Sequence, residues 1–433
     1  MAIDAEVVMK SFVNRTHELK LLDASKAKLI VLFGRRRIGK TTLIARWGHA
    51  RRYAYTQAIE GSEAQQIEQI ASDLQEVLPE GVVPRSWNEI LAAFKLVKGS
   101  TVIVLDEFPY LVRSQPSLPS RLQKWVDHDQ PDHVQLVLLG SSQNMMHGLF
   151  LQSDSPLYDR ADLVVHLEPM SYKHFCEACG CDPLSSQSFL RFSMTGGIPR
   201  YWRYIDGLSS PLDVADALFF GQSARLEDEP DRLMKDEDVV GLQAKSIFES
   251  IGRGACRPSE IAARMGIPQT GLSKPLSVLM HSNLVKRIVP FGESQRNAKR
   301  TLYVVDDYAL RFWYQVYSPH RSRWHLYDRD TKLKLIHDHA SKVAEDEYRR
   351  QFPDASPYWE GKTLEFDCVR HAAKNPKKLI VSELKFKTLS RRDRDALVGA
   401  VRAKFDQSAL AGKFGLSHIE VLDLKDMLIS LGS

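Results

Sequence analysis

The chain has 433 residues, of which 26% are charged and 43% hydrophobic, and it carries a net charge of +5. That length allows several domains with full cores, and the balance is that of an ordinary soluble protein. No apolar run is long enough to span a bilayer, and the opening MAIDAEVVMK lacks a secretory pattern, so no membrane role and a cytoplasmic location are expected. Five cysteines over this length do not make a disulfide framework.

Four blocks follow one another: 1–170, 171–240, 241–325 and 330–433. In the first, Lys28–Phe33, Thr101–Leu105, Val134–Leu139 and Leu163–Leu167 are short apolar runs separated by helix-like stretches. Such runs predict an α/β fold with a parallel sheet covered on both faces. The first run leads into Gly34-Arg35-Arg36-Arg37-Ile38-Gly39-Lys40-Thr41, followed by Thr42 and by Leu43, Ile44 and Trp47 at helical spacing. Strand, glycine loop and helix in that order suit a phosphate-binding loop. Backbone N–H groups wrap a phosphate, the helix N-terminus adds its positive end, Lys40 reaches the β- and γ-phosphates, and the Thr41 hydroxyl ligates Mg²⁺. The expected ligands are therefore ATP and magnesium.

The run Val102–Leu105 ends in Asp106-Glu107. Acids at the carboxyl end of a buried parallel strand face the ligand crevice. Asp106 is expected to hold the Mg²⁺ and Glu107 to polarise an attacking water. Ser141, after the third apolar run, either senses the γ-phosphate or, like Ser142, caps a helix. Arg160 either supplies charge to a phosphate, in cis or across the subunits of a homo-oligomer, or is a surface arginine.

The second block reads as helical and ends in Arg225–Asp238, a charge-dense stretch expected to be solvated. It also crowds His174, Cys176, Cys179 and Cys181 together, either as a zinc site or as ordinary thiols. The third block predicts helices at Leu242–Ile251, Pro258–Met265 and Gln269–Leu284, then a hairpin of Val285–Val289 with Thr301–Val305, which together make a winged helix-turn-helix. Between 243 and 306 there are ten Lys and Arg against four Asp and Glu. Lys286, Arg287, Arg296, Lys299 and Arg300 gather on the hairpin as a candidate patch for the DNA backbone, the alternative being a lid or subunit contact. Phe312, Trp313, Tyr314, Tyr317 and Trp324 suit either base stacking or interdomain packing.

In the last block a helix Ala340–Phe352 carries Glu345, the strand Leu364–Val369 carries Glu365 and Asp367, and the strand Leu379–Phe386 carries Glu383 and Lys385. Alternation puts Glu365 with Asp367 on one strand face, and Glu383 with Lys385 on another. Carboxylates converging there would bind Mg²⁺ beside a lysine that helps form a hydroxide. The set Asp367, Glu383, Lys385 and Glu345 resembles the PD-(D/E)XK nuclease fold, with Phe366 where that fold usually has proline.

Across nearly the whole chain the sequence resembles the archaeal-type AAA+/STAND-related ATPases. The resemblance rests on Phe12-Val13-Asn14-Arg15, Gly34–Thr41, Asp106-Glu107-Phe108, Gly140-Ser141-Ser142, Pro156–Arg160 and Gly196-Gly197-Ile198-Pro199 in that order. It implies that Phe12, Arg15 and Pro199 lie around the adenine. It further implies a helical lid, a winged helix and a C-terminal restriction-endonuclease-like α/β domain after the ATPase core. One departure is Asp159, where the family has glycine before the arginine. The function expected is an ATP-hydrolysing, DNA-acting protein. The alternative is a nucleotide switch or scaffold whose nuclease-fold module does not cut.

Overall fold

The computed structural model describes residues 12–433 except 238, 240, 295, 297, 299, 362 and 374. The chain forms two compact units, one built from the stretch up to Pro169 with Asp231–Val240 and His281–Asn283, the other from the remainder.

The sheet of the first unit has five strands: β1 (Leu29–Gly34), β2 (Arg52–Gln57), β3 (Thr101–Asp106), β4 (Val134–Gly140) and β5 (Leu163–Leu167). Their order is β2-β3-β4-β1-β5, every pairing parallel. The two runs LIVLFG and TVIVLD are buried along their whole length, as strands covered on both faces must be. Leu29, Val31, Ile103, Leu105, Leu136 and Leu138 pack with Trp87, Phe94 and Trp125 in one core. Each such side chain contributes on the order of 1.5–3 kcal/mol by leaving water. The edge strand β2 was not read from the sequence; its alternating RYAYTQ is only half-buried.

At the end of β1 the chain turns where only glycine fits. A Cβ on Gly34 would stand 2.7 Å from the Leu167 carbonyl oxygen on β5. The order of strands then does the essential placing. Because β4 lies between β1 and β3, the carboxyl ends of β1, β4 and β3 bring Gly34, Ser141 and Asp106 side by side.

In the second unit, helices Leu242–Gly252, Pro258–Met265 and Ser273–His281 precede a two-stranded antiparallel sheet, β6 (Val285–Ile288) with β7 (Leu302–Val305). A 3₁₀ turn, Gln269–Leu272, precedes the third helix. Pro275 therefore falls in its first turn, where a missing N–H costs nothing. After the long helix Arg329–Arg350 come β8 (Ser356–Glu360), β9 (Leu364–Ala372), β10 (Asn375–Leu384), the helix Arg391–Gln407 and β11 (Gly415–Leu422). The sheet order is β11-β10-β9-β8, with only β10 and β11 parallel. Phe291, beyond β6, joins Tyr358, Phe366, Val381 and Phe405 in the core of this sheet.

The charge-dense stretch is a correction to the sequence reading. Leu226 and Leu233 are buried, and so are the carboxylates Glu229 and Glu237. Burial is tolerated because each acid has a donor: the Tyr201 hydroxyl donates to Glu229 at 2.5 Å, and Glu237 receives backbone N–H groups described below. Asp231–Val240 clusters with the first unit.

Candidate active site

Lys40 begins the helix Lys40–Gly48, and its preceding loop runs through two left-handed residues, Arg37 (φ 70°) and Gly39 (φ 99°). Such reversals curl backbone N–H groups toward one point. The Lys40 ammonium is only 5% exposed. Its Nζ donates to the Gly34 carbonyl at 2.8 Å, the Arg35 carbonyl at 3.3 Å and Ser141 Oγ at 2.9 Å. All three are neutral oxygens, and among the described residues Lys40 makes no ion pair. Burial pushes its pKa down, against the pull of Glu107, Asp106 and Glu237. A buried ammonium without a paired anion is costly, and a phosphate oxygen supplies what is missing.

Asp106 mirrors this arrangement with opposite sign. It is 2% exposed, and its Oδ2 accepts from Thr41 Oγ1 at 2.7 Å and from the Tyr55 hydroxyl at 2.8 Å, while Oδ1 accepts the Glu107 N–H at 2.8 Å. Hydroxyl and carboxylate oxygens in contact form the hard-oxygen donor set that suits a divalent cation. Tyr55 escaped the sequence reading because its strand did. Burial, with Asp106 alongside, holds its phenol protonated, so it remains a donor.

Glu107 sits at φ 54° as the cap of the helix Phe108–Ser114, a left-handed conformation that costs a non-glycine residue on the order of 1 kcal/mol. The turn aims its carboxylate across to β4, where Ser141 Oγ donates to Glu107 Oε1 at 2.7 Å. Ser141 thus links the loop lysine to the acid. The cap of the helix Gln143–Phe150 is instead Ser142, which accepts from Met145 N. A cleft beside these groups is lined by Arg36, Glu107, Tyr110, Arg113, Ser141 and Asp236.

Two further acids reach this site from the stretch read as solvated. Asp236 pairs with Arg36 of the loop at 2.6 Å. Glu237 Oε2 accepts the N–H groups of Gln143 (2.7 Å) and Asn144 (3.3 Å), at the start of the helix that follows Ser141-Ser142. These bonds and the Lys40 charge favour the carboxylate, but burial outweighs them and pushes the Glu237 pKa up to about 8.

The other expected positions are distributed as follows. The Phe12 ring lies under the Arg46 guanidinium at 4.7 Å. Arg15, buried, ties Glu18 (2.9 Å) and the Glu168 carbonyl (2.9 Å) to the loop, reaching the Ile38 carbonyl at 3.4 Å. Arg160 is held by Asp127 and the Tyr158 carbonyl and does not line the cleft. Asp159, which replaces the family glycine, adopts φ 58°; aspartate tolerates that conformation better than most residues. Pro199 opens the helix Pro199–Tyr204 of the second unit. Ahead of it, a Cβ on Gly197 would meet the Met170 carbonyl oxygen at 2.0 Å.

The fold of the second unit brings its own acids together. Lys385 Nζ stands 2.7 Å from Glu383 Oε1 and 3.7 Å from Asp367 Oδ2, whose carboxylate also accepts the Leu384 N–H at 2.7 Å. Burial, followed by the Asp367 charge, pushes Glu345 up to about 8; burial and Glu383 raise Asp367. Glu365 is exposed. Among the described residues no group of three or more His, Cys, Asp and Glu is close enough to hold a metal ion. That finding holds for His174, Cys176, Cys179 and Cys181 as well; His174 Nδ1 instead meets Ser171 Oγ at 2.9 Å.

The hairpin cations are mostly committed within the unit. Lys286 pairs with Asp306 and Asp346, both at 3.4 Å. Arg300 pairs with Glu293 at 2.6 Å and donates to the Trp359 carbonyl, and Arg287 donates to the Ala298 carbonyl at 3.4 Å. Arg296 is exposed, and Lys299 lies outside the described residues. Of the aromatic group, Phe312, Tyr314, Tyr317 and Trp324 are buried, which favours packing over base stacking. No helix among the described residues is long and apolar enough to cross a membrane.

A parallel five-stranded sheet with this loop and these acids at its carboxyl ends is the core of a P-loop ATPase. Residues 12–203 match the model of a family described as an ATPase domain predominantly from Archaea. The chain is 30% identical over 324 residues to the uncharacterised protein MJECL04 of Methanocaldococcus jannaschii, covering 72% of this chain and 70% of that one. Its fold is similar to that of the Walker-type ATPase paby2304 of Pyrococcus abyssi, with TM-score 0.52, 17% identity, and coverage of 71% of this chain and 97% of that one. The chain belongs to this archaeal-type family of ATP-hydrolysing proteins.

The Glu237 environment makes stability depend on pH with a defined sign. In the unfolded chain Glu237 ionises near its ordinary 4.5, whereas in the folded state it keeps its proton until about 8. Over that window the unfolded state binds fewer protons, so stability falls as pH rises, by at most about 1.4 kcal/mol per pH unit. Glu237→Gln removes this dependence. Melting temperatures of the two proteins should converge at pH 5 and separate in favour of the variant toward pH 8; parallel profiles would contradict the assignment.

Proposed function

We propose that this protein hydrolyses ATP with Mg²⁺ at the Lys40 site and that turnover controls a DNA-acting second unit, made of a winged helix and a PD-(D/E)XK nuclease-like domain. The single observation that carries the ATPase part is the chain Lys40–Ser141–Glu107 beside Thr41–Asp106, two buried charges of opposite sign held only by neutral partners. Lys40 would balance the β- and γ-phosphates, and Phe12 and Arg15 would lie around the adenine. Thr41 and Asp106 would hold the Mg²⁺, which supplies charge neutralisation on the phosphate oxygens. Glu107 orients the attacking water and accepts its proton, while Ser141 reports to Glu107 whether the Lys40 ammonium is engaged by phosphate. The pairing of Arg160 with Asp127, away from the cleft, favours a surface arginine over a phosphate role in cis.

For the tail, the supporting observation is convergence of Glu345, Asp367, Glu383 and Lys385 from one helix and two strands. Two of the carboxylates, Asp367 and Glu383, would share a divalent ion whose other ligands are water and phosphate oxygens, and Lys385 would steady the charge of the hydroxide. DNA contact would fall chiefly on Arg296, which is exposed, because Lys286, Arg287 and Arg300 are engaged internally. One observation favours a second reading, a nucleotide switch with a non-cutting tail: the Lys385 ammonium stands where a cation would sit between Glu383 and Asp367.

Glu107→Gln should bind ATP as the parent does and turn it over at least about a hundredfold more slowly, the scale of a lost general base; an unchanged rate in a phosphate-release assay would remove the role given to Glu107. Plasmid incubated with Mg²⁺ or Mn²⁺, with and without ATP, should be cut by the parent and not by Asp367→Ala or Lys385→Ala. Cutting that survives both changes would end the nuclease assignment, and no cutting by the parent would favour the switch.

A further inference from the structure

The helix Tyr172–Cys179 ends in a turn that its sequence dictates. Gly180 takes the left-handed conformation (φ 59°, ψ 35°), and its N–H closes onto the Cys176 carbonyl. The next N–H, that of Cys181, closes onto the same carbonyl at 3.1 Å. In this six-to-one closure the residue after the glycine folds back over the residue five positions earlier, and their side chains meet, ordinarily as an apolar contact. Here both are thiols, and the closure sets the Cys176 and Cys181 side chains against one another.

The two sulfurs have different surroundings. Cys176 is buried beside Tyr172 and Phe175, which are fully buried. Cys181 is only half-buried, with Ser188 and Arg191 as neighbours. Arg191 is 8% exposed, with its guanidinium 5.6 Å over the Phe175 ring, so its charge is poorly hydrated. Cys179, at the end of the helix, is half-buried.

We propose that Cys181 and Cys176 are a hydroperoxide-responsive dithiol, with Cys181 the attacking sulfur and Cys176 the resolving one. The Cys181 thiolate attacks the peroxide: an S–O bond forms, the O–O bond breaks, and the departing oxygen takes a proton and leaves as water or alcohol. The Cys176 sulfur then attacks Cys181: the S–S bond forms, the S–O bond breaks, and the hydroxyl leaves as water with the Cys176 proton. Two thiols lose two electrons in all, and one peroxide gains them. The order of attack follows the electrostatics. Cys176 alongside, then Ser188 and the Arg191 charge, lower the Cys181 pKa against partial burial, whereas Cys181 alongside and burial raise that of Cys176. Burial pushes Cys179 up to about 11, which leaves it the poorer nucleophile at neutral pH.

The test uses the full chain, treated with limiting hydrogen peroxide, quenched with N-ethylmaleimide and digested with trypsin. All three thiols fall in the peptide His174–Arg191. The expected product is that peptide lighter by two hydrogens and carrying one maleimide, placed on Cys179 by fragmentation. Cys179→Ser should form the same bond, and Cys176→Ser should leave a sulfenic acid on Cys181 that dimedone traps. Without peroxide, iodoacetamide at neutral pH should label Cys181 about tenfold faster than Cys179. A bond that includes Cys179, Cys181 oxidised to sulfinic acid with Cys176 still free, or equal labelling rates would overturn the proposal.

Discussion

The structure is organised around a buried ammonium that makes no ion pair among the described residues. Lys40 lies under the loop with three neutral oxygens as partners, a placement that burial alone disfavours. It is sustained because the chain offers no easier position: Lys40 is the first residue of its helix, behind a left-handed glycine, and β1 delivers the loop from the middle of a sheet buried on both faces. Asp106 is buried in the same manner a strand away. An anion and a cation added together would satisfy both, which is the electrostatic sense in which this site is built for a magnesium nucleotide.

The strand order makes that economy possible. With β4 between β1 and β3, one hydroxyl, Ser141, touches the lysine on one side and Glu107 on the other. The phosphate binding proposed for Lys40 and the water orientation proposed for Glu107 would therefore be connected through a single side chain. Behind this line, Glu237 occupies the start of the helix after β4, and Asp236 holds Arg36 of the loop. The segment 231–237 so constrains both neighbours of the phosphate site.

How far the sequence reveals this depends on the range of the interactions. The placement of the loop, Asp106 and Glu107 was legible because it follows from residues adjacent in the chain: a glycine turn, an apolar strand, an acid at its end. Tyr55 was not, because its strand is a half-buried edge with an alternating, partly polar pattern. Glu237 was not, because its donors lie 94 residues away and a run of mixed charge reads as solvated when its partners are unknown. The hairpin illustrates the reverse error. Five cations in a short span look free, yet Lys286 finds Asp346 60 residues later in the chain, and Arg300 finds Glu293 and a carbonyl of β8. Charge counted along the chain overstates charge offered to a ligand whenever a buried acid such as Asp346 waits elsewhere in the fold.

The most direct measurement of the central claim is isothermal titration of the purified protein with ATP and Mg²⁺, repeated on Lys40→Ala. A saturable heat of binding in the parent that disappears in the variant is what a buried, anion-seeking ammonium requires. No heat in the parent, or the same affinity after Lys40 is removed, would contradict the account.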